Sequence, residues 1–265
     1  MDVNKLFDLS ERVVILVGAS GLLGSKYAEG FCQAGAIVVL CDINYSKCKE
    51  LKDSLQDKYD NKIITIRTDI TDKKSVENMI KLVIKKFSKI DVLVNNAVFP
   101  EGKKERSIQF EEFQMILLNK IFSVNVSGMV LCCQKVGQIM KKQKHGVIIN
   151  VSSIYGLVAA DQKIYGDSGL NSTVAYAITK SAILNLTRYL ASYWNNTGIR
   201  VNSISLGGVE SGQDLKFIKN YSHKTMLGRM ARTDEYVGSI LFLASDASSY
   251  MTGSNLVVDG GWTAW

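Results

Sequence analysis

Tyr176 and Lys180 stand four apart in a stretch of helical periodicity, so their side chains leave one face. A free phenol ionises near pH 10, too high for good proton exchange at neutral pH. An ammonium about 5 Å away contributes roughly 3 kcal/mol at an effective dielectric of 20, close to two pK units. The pair is therefore a candidate general acid/base. The same spacing recurs at Tyr45–Lys49, but that pair sits on a polar helix with no serine at a strand end, and reads as a solvated face. Ser153, with Ser152 as its neighbour, closes the strand that precedes Tyr176. Ligands of open α/β sheets bind outside such strand ends.

A second constellation opens the chain. The first apolar run leads into Gly18-Ala19-Ser20-Gly21-Leu22-Leu23-Gly24. A tight strand-to-helix turn favours residues without Cβ, and a pyrophosphate can then approach the backbone N–H groups of the helix N-terminus. Asp42 ends the second apolar run, where a carboxylate accepts hydrogen bonds from ribose hydroxyls and repels a 2′-phosphate. No Arg or Lys lies within 18–24 to receive such a phosphate. The expected cofactor is NAD in preference to NADP.

These groups need a sheet to hold them. Apolar runs at 13–17, 37–41, 63–67, 92–94, 147–151, 199–204 and 255–258 read as seven strands. Amphipathic stretches at 22–34, 46–58, 73–87, within 111–142, at 174–195 and at 233–244 read as helices between them. Alternation of this kind predicts an α/β fold with a doubly wound, mainly parallel seven-stranded sheet and helices on both faces. It runs from residue 13 to 259 without linker or repeat, so one domain over 1–265 is expected.

Of the 265 residues, 46% are hydrophobic and 22% charged, which argues against a disordered chain. No apolar run in the sequence approaches the roughly 20 residues of a membrane span, and the start Met1-Asp2-Val3-Asn4-Lys5 lacks a signal-peptide layout. Five cysteines without a C-x-x-C pair, and two distant histidines, give no metal-ligand spacing. A cytoplasmic protein with reduced thiols and no metal is expected. The net charge of +7 is spread over helical lysines such as Lys81, Lys85 and Lys89, and is read as solvated faces, with no nucleic acid and no membrane as partner.

Eight segments in order resemble the short-chain dehydrogenase/reductase family over about residues 11–261. They are the turn at 18–24, Asp69-Ile70, Asn95-Asn96-Ala97, Asn125, Asn150-Val151-Ser152-Ser153, Tyr176-Ala177-Ile178-Thr179-Lys180, Arg200-Val201-Asn202-Ser203-Ile204, and Thr252-Gly253 with Val258-Asp259-Gly260-Gly261. The resemblance implies a Rossmann fold and hydride transfer between a nicotinamide cofactor and an alcohol or ketone. It makes Tyr176 the acid/base and Lys180 the group that lowers its pKa and binds the nicotinamide ribose. It makes Ser153 the partner of the reacting oxygen, and Asn125 the holder of a water that links Lys180 to solvent. Cofactor contacts are implied at Gly18, Ser20, Gly21, Leu22, Leu23, Gly24, Asp42, Ile43, Asp69, Ile70, Asn96, Ala97, Tyr176, Lys180, Gly207, Gly208 and Val209. The chain departs from the family pattern at Leu22, Val98 and Leu206. Its Gly18/Gly21/Gly24 spacing is closer to epimerase-like relatives, which keeps a nucleotide-sugar epimerase or dehydratase as an alternative, beside a non-catalytic cofactor-sensing protein.

Two segments bear on the substrate. The stretch between Ser153 and Tyr176 is longer than in the family, and its insertion, about 158–173, carries Asp161, Gln162, Lys163, Tyr165, Asp167, Ser168, Asn171 and Ser172, suited to a hydroxylated ligand. Residues 209–232 correspond to the family's substrate lid and include Lys216, Lys219, Lys224, Arg229 and Arg232, which would favour an anionic, phosphorylated or nucleotide-linked sugar. The insertion, with Thr187-Arg188-Tyr189-Leu190-Ala191 and Gly261-Trp262, is similar to oxidoreductases of flagellin-modification or surface-glycan sugar pathways. Trp262 and Trp265 are expected as interface aromatics of a homodimer or homotetramer.

Overall fold

A computed structural model describes residues 2–265. In chain order the elements are α1 (Val3–Phe7), β1 (Val13–Val17), α2 (Leu22–Gln33), β2 (Ile37–Asp42), α3 (Tyr45–Gln56), β3 (Ile63–Arg67), α4 (Lys73–Phe87), β4 (Val92–Asn95) and α5 (Lys103–Arg106). Then come α6 (Met115–Phe122), a π-helical turn (Ser123–Gly128), α7 (Met129–Gln143), β5 (Gly146–Ser153), α8 (Val174–Tyr193), β6 (Ile199–Leu206), α9 (Leu215–Ser222), α10 (Val237–Ala244) and β7 (Asn255–Val258). The strands form one sheet in the order β3-β2-β1-β4-β5-β6-β7, and every pairing is parallel.

The strands read as unbroken apolar runs because both faces of the sheet are covered. Along β1, Val14 and Leu16 point into a core shared with Tyr27, Phe31, Tyr236 and Leu243. Val13, Ile15 and Val17 point the other way, toward Met79, Val83, Val136, Met140 and Ile183. Side-chain alternation along a strand thus assigns one core to each helical layer. Chain order reverses beside β1, whose neighbours are β2 and β4, so a crevice opens at the carboxyl ends of these strands.

Local chemistry sets the boundaries. The α4 helix starts where Asp72 accepts hydrogen bonds from the Lys74 and Ser75 N–H groups, and stops at Ser88 in the left-handed region. By length and composition the rod Met115–Gln143 could cross a bilayer. It lies instead against the sheet, burying Cys132, Cys133, Val136 and Met140.

The glycines of the first turn do different work. Gly18 has φ +79°, and a Cβ there would come 2.7 Å from the Ala97 backbone. A Cβ on Gly24 would lie 2.1 Å from the Gly18 carbonyl oxygen, so Gly24 is a packing residue. At Gly21 the nearest atom would be 3.5 Å away, an ordinary contact. Contacts within the protein therefore require glycine at 18 and 24 but not at 21.

Trp262 departs from the interface expectation. It is 8% exposed and stacks on Tyr221 at 4.4 Å within its own chain. Trp265 is exposed, with its ring N–H donating to the Lys224 carbonyl. The five cysteines are free and buried. Burial pushes the thiols of Cys32, Cys48 and Cys133 up to about 12, which makes them inert at neutral pH.

Substitution separates the two glycines. Gly24→Ala should cost at least about 3 kcal/mol, roughly 6 °C or more in Tm for a chain of this size, because backbone must move. Gly21→Ala should cost about 1 kcal/mol or less, the preference of a helix N-cap. Thermal melts of the two variants check this, and equal losses would contradict it.

Candidate active site

The helix α8 begins at Thr173, whose hydroxyl oxygen accepts from the Tyr176 N–H. This cap fixes the first turn of α8 beside the end of β5. Lys180, 5% exposed, reaches under the strand, and its ammonium donates to the Val151 carbonyl at 3.0 Å. The Lys180 nitrogen lies 5.6 Å from the centre of the Tyr176 ring. Ser152 donates to the Lys180 carbonyl at 2.9 Å, which ties strand to helix. Ser153 accepts from the Tyr155 N–H at 3.2 Å. The hydroxyl of Ser153 also meets the Tyr176 phenol, so of the two serines it is Ser153 that faces the candidate base.

Electrostatics here differ from the expectation of an acidified phenol. Burial raises the Tyr176 pKa, opposed first by the hydrogen bond to Ser153; Glu101 raises it further and Arg106 lowers it. Lys180 is itself desolvated, and its pKa falls to about 8. Removal from water outweighs the Ser153 hydrogen bond and the attraction of Arg106. In the chain alone Tyr176 is thus held as a neutral phenol, a proton donor.

Asn125 sits in the π turn of the long rod, a distortion frequent at functional sites. Its side-chain oxygen accepts from the Phe99 N–H at 2.7 Å and its amide donates to the Thr179 hydroxyl at 3.1 Å. Both ends of the Asn125 amide are therefore engaged by protein, and hold the loop after β4 against α8.

The crevice beside β1 is a cleft of about 860 Å³. Gly18, Ser20, Gly21, Leu22, Leu23, Asp42, Ile43, Asp69, Ile70, Asn96, Ala97 and Val209 all line it. Of the sequence-predicted cofactor residues, Gly24 does not, because it packs beneath Gly18. Gly207, Gly208, Tyr176 and Lys180 line an adjoining cavity of about 300 Å³. Leu23, Asn96, Val98 and Val209 border both spaces, so the two meet.

The large cleft fits a dinucleotide. The N-terminus of α2 carries no side-chain cap, which leaves its first N–H groups to an anion. Asp42 closes the far end, with one oxygen accepting from the Ser20 N–H at 3.0 Å and the other from the Asn44 N–H at 3.0 Å. Among the described residues no group of three or more His, Cys, Asp or Glu side chains is placed to hold a metal ion.

Insertion and lid cover the smaller cavity together. Tyr165 and Phe217 pack at 5.2 Å, and Ile154, Ile164, Tyr221, Met230 and Trp262 complete a separate apolar cluster. The polar residues of the insertion mostly hold the insertion itself. Gln162 and Ser172 exchange two hydrogen bonds, and Asn171 donates to the Arg106 and Ile108 carbonyls. The lid cations are likewise engaged: Lys216 with Asp167, Lys224 with Asp161, Arg229 with Glu235 and Arg232 with Asp234. None of these, nor Lys219, lines the cavities beside Tyr176, so the basic lid expected from the sequence does not face the phenol.

A family profile described as enoyl-(acyl carrier protein) reductase matches residues 18–263. The chain belongs to the short-chain dehydrogenase/reductase family. It is 32% identical to the post-translational flagellin modification protein A of Campylobacter coli, over 96% of this chain and 99% of that protein. A short-chain dehydrogenase from Leptospira borgpetersenii with bound NAD+ superposes with a TM-score of 0.85 at 33% identity, over 99% of this chain and 96% of that one. A gluconate 5-dehydrogenase from Burkholderia cenocepacia, in complex with NADP and tartrate, does so with a TM-score of 0.89 at 28% identity, over the whole of both chains.

Within this family frame, sequence reasoning missed several lining residues. Lys47, on the polar helix α3, lines the large cleft with Asp42. Tyr155 meets Tyr176 edge-on at 6.4 Å. Glu101 and Arg106 border a third space of about 290 Å³ that adjoins Tyr176. The loop holding these last two carries no periodicity, so only their charge could have drawn attention to them.

Lys180 gives a stability test. The unfolded lysine ionises near 10.5 and the folded one near 8. Between these values the unfolded state binds the extra proton, so stability rises with pH there and the penalty is fully present below about pH 8. The shift corresponds to about 3 kcal/mol, less about 1 for the bond to Val151. Lys180→Met should therefore be about 2 kcal/mol more stable than wild type at pH 7, with the advantage shrinking by pH 10 in urea unfolding. A variant less stable at pH 7 would contradict the assignment.

Proposed function

We propose that the chain is an NAD(P)-dependent oxidoreductase that moves hydride between a nicotinamide cofactor and a secondary alcohol or ketone on a polar, sugar-type small molecule. One observation carries this reading: a buried phenol, paired with Ser153, sits in a cavity that opens into the dinucleotide-sized cleft. All of it belongs to one domain, with insertion and lid as its covers.

Bound in the large cleft, the dinucleotide supplies the hydride acceptor or donor and, when oxidised, a positive ring that favours the phenolate. In the oxidative direction the carbinol C–H bond breaks with its electron pair, and Tyr176 takes the hydroxyl proton. In reduction Tyr176, held neutral by burial, gives its proton to the carbonyl oxygen. Ser153 donates to the same oxygen, which orients the substrate and stabilises charge there. Lys180 would hold the nicotinamide ribose and, through its charge, favour the phenolate of Tyr176, while Asn125 positions the loop after β4. The cofactor contacts are those lining the cleft, with Gly207, Gly208 and Val209 beyond β6.

Asp42 supports a preference for NAD over NADP, because its carboxylate repels a 2′-phosphate. A relative that modifies flagellin and a structural neighbour holding tartrate support a polar, hydroxylated substrate. Exposed Met115, Ile116, Ile178, Tyr189 and Tyr193 on α6 and α8 support a homodimer or homotetramer. Buried free thiols suit the reducing cytoplasm.

Tyr176→Phe should lower turnover at least 10³-fold, within the range ascribed to a lost acid/base, while NAD+ affinity stays within about threefold. Turnover is read as 340 nm absorbance over a panel of polyols and sugars. Near-normal activity would refute the role. Asp42→Ala should narrow the NAD/NADP ratio of kcat/KM by about tenfold; a wild type that uses both cofactors equally would overturn the preference.

A further inference from the structure

The two spaces on either side of Tyr176 share one feature that the hydride-transfer reading does not use. Arg106, at the end of the short helix α5, lines both. Its guanidinium lies 5.3 Å over the Tyr165 ring. The backbone beneath it is fixed, because its carbonyl accepts from the Asn171 N–H of the insertion at 2.7 Å. Arg106 is close enough to Tyr176 to lower the phenol's pKa. Among the described residues no carboxylate lies within ion-pair distance of it, whereas four lid cations are each paired.

Glu101 borders the same space. One of its oxygens accepts from the Thr173 hydroxyl at 2.5 Å, and its carboxyl is largely buried. The cavity thus presents a planar cation outside ion-pair distance of any carboxylate, the Glu101 carboxyl whose pKa that cation lowers, and walls of Tyr155, Tyr165 and Tyr176. A guanidinium fork matches a carboxylate through two parallel hydrogen bonds. A carboxylate brings one negative charge beside Glu101, where a phosphate dianion would bring two. The space, about 290 Å³, accommodates a compact acid.

We propose that Arg106 is the substrate-anchoring residue and that the substrate is a small hydroxycarboxylate: its carboxylate pairs with Arg106, a further hydroxyl bonds Glu101, and its carbinol reaches Tyr176 and Ser153. This rests on the hydride-transfer reading for the identity of the reacting carbon. The carboxylate contact itself is tested by binding, apart from turnover.

The test uses the full chain with saturating NAD+ and isothermal calorimetry. The probes are D-gluconate, L-tartrate and 4-hydroxycyclohexanecarboxylate, each beside the neutral alcohol in which CH2OH replaces the carboxylate, and beside 6-phosphogluconate. At least one acid should bind tenfold or more tighter than its neutral partner. Arg106→Met should erase that difference and leave NAD+ affinity unchanged, and Arg106→Lys should restore part of it. Tyr176→Phe should keep the binding while losing turnover, so loss of turnover alone tests only the hydride-transfer reading. The inference is overturned if no acid exceeds its neutral partner, if 6-phosphogluconate alone binds, or if Arg106→Met retains the discrimination.

Discussion

The contact between α8 and the end of β5 is the constraint on which the rest of the site depends. There an ammonium is taken out of water and given a backbone carbonyl as partner, while the neighbouring hydroxyl of Ser152 fastens the strand to the helix. Two buried polar groups at one seam fix the helix both along its axis and around it. A slip of one residue would carry Lys180 away from Val151 and Tyr176 away from Ser153 together. Positional accuracy is obtained at a cost in stability, since an apolar residue would fill the same place more favourably. Functional sites commonly show this exchange.

The sheet makes that seam possible. Its strands are apolar on both faces, so the carboxyl ends of β1, β4, β5 and β6 are held in register and present their last residues to one crevice. Asn96, just past β4, donates to the Gly18 carbonyl at 2.9 Å and ties the loop after one strand to the turn after another. Gly24 lets α2 approach that same carbonyl. The dinucleotide-sized cleft and the phenol cavity are thus parts of one rigid rim, and the residues shared by both mark where they join.

Elements with strong periodicity were legible beforehand. The limits of β1, β3, α4 and β7 coincide with their apolar patterns, and Tyr176, Lys180 and Ser153 come together as spacing implied. The shorter pieces were not legible. α5 and α9 are four and eight residues long and lie in covers held by tertiary contacts, so neither has a period long enough to read. Charge in those covers misled for a related reason. A run of lysines and arginines looks like an anion site when partners distant in sequence are unseen. Folding supplies Asp161 and Asp167 from the insertion to the lid, and the apparent field is spent on docking the two segments. The direction of the Tyr176 shift was missed because spacing reveals an ammonium but not the loss of water around it.

A division of labour follows from where each group sits. Ser153, Tyr176 and Lys180 lie on long elements packed into the sheet. Arg106, Glu101, Tyr165 and Phe217 lie on short segments braced against one another, outside the main cores. Changes in the covers can therefore alter which molecule is held without disturbing the seam that handles the proton, because the covers form an apolar cluster of their own. Beside that cluster four lid cations are paired with carboxylates, whereas the Arg106 guanidinium forms no close ion pair. A cover that pairs four of its cations with carboxylates and places one planar cation beside the phenol can select by charge at a single point, and the tyrosine walls select by size around it.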